Sequence, residues 1–144
     1  MNRKTLSSMA ALALMTAAGV VSGYAQDSRM KVHVPFAFSV KDSALPAGDY
    51  SLGQLSQTAW VIRNDEGRPA VLALARPDRS DGKLAENSAS LAFERCGDRY
   101  FLSKLQVGEQ IESIPESKAE RALEREMARN GLKPETLYIL ASVR

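Results

Sequence analysis

The side chains able to do chemistry are few, and counting them narrows the reactions open to this chain. His33 is the single histidine and Cys96 the single cysteine. One imidazole and one thiol cannot assemble a multi-histidine zinc site or an iron–sulfur cluster. A Ser-His-Asp relay would have to use His33, and no serine sits in a Gly-x-Ser-x-Gly elbow. In the alternating segment that contains it, His33 falls on the outward side and reads as a solvated strand residue. Neither a Walker loop nor a Gly-x-Gly-x-x-Gly turn is present in the sequence.

Carboxylate chemistry remains. Two acidic groups about 5 to 9.5 Å apart are enough to hydrolyse a glycosidic bond, and the chain has 17 Asp and Glu residues. Most fall in turns (Asp49, Asp65, Asp98), in a polar stretch (Asp78, Asp81, Glu86) or on the charged face of a helix, where solvated surface charge is the expected role. Glu94, in mid-strand, is the one placed to face a cavity. Asp78-Arg79-Ser80-Asp81-Gly82 lacks the alternating oxygen ligands and terminal Glu of a calcium loop. The sequence therefore predicts no catalytic residue, metal site or cofactor.

Binding has better candidates. Phe36, Phe38, Tyr50, Trp60, Phe93, Tyr100, Phe101 and Tyr138 recur along the chain at spacings that a β core requires. Trp60 and Tyr100 also carry a polar atom that could orient a ligand in the mouth of a barrel. Cys96 reads as a small strand-end residue, with an interchain disulfide or a reactive thiol as the sharper alternative. Arg121, Arg125 and Arg129 form a basic stripe at helical spacing, moderated by neighbouring glutamates.

These residues must be positioned by strands. Val32, Val34, Phe36, Phe38 and Val40 alternate with polar or small residues, the period of a half-buried strand. Pro35 offers no N–H, which points to an edge or a bulge there. Leu45-Pro46-Ala47-Gly48-Asp49 makes a turn, and Tyr50–Leu55 follows as a strand with Tyr50, Leu52 and Gln54 on one face. Ala59–Arg63 and Ala70–Ala75 flank the polar turn Asn64–Arg68 and form a hairpin. Residues Pro77–Ser88 read as the longest and most mobile loop.

Leu91–Arg95 and Tyr100–Val107 form a second hairpin. A two-residue Gly97-Asp98 turn would pair Phe93 with Leu102. A three-residue loop would pair Phe93 with Phe101 and gather Leu91, Phe93, Phe101 and Leu105 on one face, which buries the apolar set better. Ser117-Lys118-Ala119-Glu120 is a capping box. It opens a helix with Ala119, Ala122, Leu123 and Met127 on its apolar side and Asn130-Gly131 as its stop. Leu137–Val143 closes the chain as a strand. The expected fold is mainly β (α+β): a small antiparallel sandwich or partly open barrel with one C-terminal helix and a closing strand.

The first 25 residues read as an export signal. Arg3 and Lys4 precede an apolar run from Leu6 to Val21, and Gly23 and Ala25 occupy the positions a signal peptidase selects. Cleavage there leaves one β-rich domain, residues 26–144, with no stable membrane span, in the periplasm or outside the cell. The full chain has 19 Lys and Arg; without Arg3 and Lys4 the mature part carries 17 charges of each sign. A balanced surface gives no electrostatic basis for nucleic-acid binding.

Val32-His33-Val34-Pro35-Phe36-Ala37-Phe38 and Leu45-Pro46-Ala47-Gly48-Asp49-Tyr50 resemble the V-x-V-P-F-x-F and L-P-A-G-x-Y opening of a group of small secreted bacterial proteins of unknown function. Gly97–Leu102 and Ser117–Arg121 resemble that group's hairpin and helix start. The resemblance implies export and a β-rich fold and assigns no activity. The expectation is an exported, non-catalytic domain that binds or serves structurally in the envelope, its partner an unknown protein or a small apolar ligand. A barrel carrying that ligand and a carboxylate-dependent hydrolase are the alternatives.

Overall fold

The computed structural model describes residues 29–79 and 88–143. The leader and most of the Pro77–Ser88 stretch lie outside the described residues. The first alternating run splits at its proline. β1 (Met30–Val34) is followed by a break and then by β2 (Phe38–Val40). β1 lies between β4 (Gly48–Ser56) and β11 (Glu135–Val143), so of the edge or bulge expected from Pro35 the edge is not found, and the strand is interrupted there. The missing N–H acts instead where the chain leaves one part of the sheet for another. Past that break, β2 pairs with β3 (Ser43–Leu45) and, in parallel, with β9 (Arg99–Val107).

β4, β5 (Ala59–Asn64) and β6 (Pro69–Leu74) form a meander. After Ala75 the chain turns into β7 (Arg76–Pro77), which leaves the meander and pairs with β10 (Gln110–Ser113). β10 pairs in turn with β9, and β8 (Ala89–Cys96) joins β9 to β11. The sheet thus runs β3-β2-β9-β8-β11-β1-β4-β5-β6 and returns through β7 and β10 to β9. The result is nearly closed and barrel-like, which removes most of the unpaired strand edge of an open sheet.

The β8–β9 hairpin has the two-residue turn, with Phe93 opposite Leu102, and not the three-residue loop that pairs Phe93 with Phe101. A bulge reconciles this with burial. The register shifts between Ala92 and Phe93, leaving Ser103 without an opposite residue, and its hydroxyl donates to the Ala92 carbonyl at 3.0 Å. One extra residue reverses the inward–outward alternation. Leu91, Phe93, Leu102 and Leu105 therefore all enter the core. Phe101 pairs with Glu94 on the opposite face, where the Arg99 guanidinium lies over its ring.

Helix α1 (Lys118–Arg129) starts on the expected capping box: the Ser117 hydroxyl accepts from the Glu120 amide at 3.0 Å, and the Glu120 carboxylate accepts from the Ser117 amide at 3.3 Å. Its burial differs from the apolar pattern. Ala119 and Ala122 are exposed, Leu123 and Met127 are half-buried, and Ser117 and Glu120 are the residues driven against the body of the protein. The helix rests on β8 by its first turn more than by an apolar stripe. Among the described residues no helix is long and apolar enough to cross a membrane.

Candidate functional site

The strands face an interior packed with side chains. Val32, Val34, Phe38, Leu52, Trp60, Ile62, Leu91, Phe93, Leu102 and Leu105 belong to one buried cluster. Phe38 makes edge contacts with Tyr50 and Phe93, each at 5.3 Å between ring centroids. Polar groups that enter are tied off within the protein. Tyr50 donates its hydroxyl to the Pro46 carbonyl at 2.5 Å. Trp60 donates its indole N–H to the Glu112 Oε2 at 2.6 Å, and Gln54 donates to Oε1 of the same carboxylate at 3.3 Å. Among the described residues no buried side-chain nitrogen or oxygen lacks a partner.

Trp60 and Tyr100 have separate surroundings. Trp60 sits 4 % exposed with its polar atom committed to Glu112. Tyr100 stacks on Phe36 at 3.9 Å between centroids and lies under the Arg95 guanidinium at 5.8 Å. Neither lines the two clefts described below. Cys96 is free and 1 % exposed. Burial, reinforced by the negative charge of Glu124, Glu120, Glu94 and Glu116, pushes its thiol up to about 11. At neutral pH it is a protonated, inward-held sulfur, far from the state in which thiols attack or exchange.

The first cleft, of about 460 Å³, lies where α1 meets the sheet. Glu94, Glu116, Glu120 and Glu124 line it together with Lys104, Lys133, Ser103 and Ser113. Loss of water around Glu120 raises its carboxyl to about 7, against the Ser117 amide that favours the charged form, and Glu116, Glu124 and Glu94 add to the rise. Glu124 is raised as well, by burial and then by Glu116 and Glu94. Glu94 does reach a cavity, as its mid-strand place suggested, with its Oε1 accepting from the Thr136 hydroxyl at 2.9 Å. Lys104 pairs with Asp78 at 2.9 Å. Among the described residues no group of three or more His, Cys, Asp or Glu side chains is arranged to hold a metal ion.

The second cleft, about 740 Å³, lies on the outer face where β11, β1 and β4 run side by side. His33 points outward, as its position in the strand predicts. It has a carboxylate partner directly across the pair: Nδ1 is 2.7 Å from the Asp49 Oδ1. Arg29, Lys31, Ser51, Asn64, Asp65, Leu140 and Ser142 complete much of the lining. Asp49 follows the turn and was legible only as a turn residue, so this pair could be found only once β1 and β4 were in register. Glu112 was missed for a related reason. Gln110–Ser113 has one large apolar residue and shows no convincing alternation, so β10 gave no strand signal.

Comparison with known protein families, with curated proteins and with solved structures returns no match.

Proposed function

We propose that this protein is an exported, non-catalytic binding domain that works from the outside of its barrel and not from a central lumen. The observation that carries the reading is the state of the interior. It is filled by aromatic and aliphatic side chains, and its polar atoms, the Trp60 N–H above all, are already bonded to the protein. An apolar ligand would have to displace that packing and leave the Glu112 carboxylate without its donors. Apolar surface is available outside instead: Leu55, Leu72 and Leu74 on the β4–β6 meander and Tyr138 and Leu140 on β11 are each more than half exposed.

Native mass spectrometry of the exported protein, unreduced and beside a denatured sample, tests this. The reading expects a bare chain starting near Gln26. A co-purifying apolar molecule lost on denaturation favours the ligand-carrying barrel, and a retained leader removes the export.

One observation favours a second reading. The Glu120 carboxyl near pH 7, with three other glutamates in one cleft, is the type of environment that makes a general acid. Against it, Glu120 is 3 % exposed and its Oε2 is held as the acceptor of the Ser117 amide, so the carboxyl serves the helix cap and has little access to a substrate. Hydrolysis of glycosides abolished by Glu120→Gln, in a chain that remains folded, would establish the hydrolase.

A further inference from the structure

The register of the outer cleft brings cationic and hydroxyl groups into one row. Lys31 on β1 lies opposite Ser51 on β4 and opposite Ser142 on β11. Side chains directly opposed on an antiparallel pair stand about 5 Å apart at Cβ, so an ammonium group rises between two hydroxyls on one face. The Ser142 hydroxyl makes a long 3.5 Å contact to the Lys31 carbonyl, and Ser51 is half-buried in the floor. Leu140, two residues before Ser142 on the same face, is 71 % exposed. His33 comes next along β1, and Asp49 fixes its ring so that the second nitrogen lies on the side away from that carboxylate.

We propose that this cleft binds a small monocarboxylic acid with a short aliphatic body. Its carboxylate sits over Lys31 and takes a hydrogen bond from the Ser142 hydroxyl on β11, with Ser51 on the other side of the lysine, and its alkyl part covers Leu140. A monocarboxylate is favoured over phosphate because its alkyl part gains the contact with Leu140 that phosphate cannot make, while the charges that line the cleft, Arg29 and Lys31 against Asp49 and Asp65, give no excess of positive charge to reward a dianion. The inference rests on the outer-surface reading and gives it a ligand class.

The test is an amide NMR titration of the mature protein with hexanoate, with inorganic phosphate as comparator, repeated on Lys31→Met and Leu140→Ser. Both changed positions are exposed, so the folded spectrum persists. The proposal expects saturable shifts at residues 31, 51 and 140–142 with millimolar affinity. Each variant weakens hexanoate roughly tenfold, and phosphate binds at least roughly tenfold more weakly. No saturation by about 50 mM, unchanged affinity in Lys31→Met, or phosphate binding as tightly as hexanoate overturns it. A null titration leaves the outer-surface reading in place. Shifts centred on Trp60 and its core neighbours overturn both.

Discussion

Among the described residues two glutamates leave water, and their settings differ. Glu112 enters the barrel-like interior, where Trp60 and Gln54 meet it with N–H donors. Glu120 is pressed under the start of α1, where one backbone amide meets it and three other glutamates stand nearby. Donors that stay at hand in the interior make a carboxylate a fastener between β10 and β5. Beneath the helix, carboxylates gathered with few donors make a proton the cheaper partner, and the Glu120 carboxyl rises to about 7. Burial is common to both; the donors that meet each carboxylate differ.

The comparison can be broken first at Trp60. Trp60→Ala removes a large core side chain together with the donor to Glu112, and equilibrium denaturation should show a loss of about 3–5 kcal/mol. At the other region the sign reverses. Between about pH 4.5 and 7 the unfolded chain has released the Glu120 proton and the folded chain keeps it, so stability falls as pH rises through that window. Glu120→Gln preserves the capping pattern and should flatten most of that slope, leaving the smaller part that belongs to Glu124 and raising stability at pH 8 by on the order of 2–3 kcal/mol. A variant that leaves the pH profile of urea unfolding unchanged would show that Glu120 is solvated.

Smaller effects sharpen the contrast. Glu112→Ala leaves the Trp60 N–H buried without an acceptor and should cost about 1–3 kcal/mol, read from the shift in urea midpoint. Ser117→Ala removes the hydroxyl of the capping box and should cost about 1 kcal/mol by the same measurement.

Much of this architecture was legible because it rests on local rules. The Tyr50–Leu55 and Ala59–Arg63 strands, the hairpin turn at Asn64–Arg68 and the Ser117–Glu120 cap all follow from period two, turn residues or a four-residue box. The features of the clefts and the interior needed pairing between distant segments. His33 and Asp49 are 16 residues apart, and Trp60 and Glu112 are 52 apart. The Ser103 bulge changed which side of β9 is inward, and no residue type announced it. Glu120 was read as a cap but not as a buried acid, because the sheet beneath it is invisible to helical periodicity.

Trp60 is the only tryptophan in the chain, so its emission reports the interior without interference. The decisive measurement is that emission, with acrylamide as quencher, during titration of the purified protein with dodecanoate. A filled, internally bonded interior gives a Trp60 signal that stays shielded from acrylamide and does not change with added dodecanoate. A saturable change in Trp60 emission, lost in Glu112→Ala, would mean that the interior opens to ligand and that the barrel works from within.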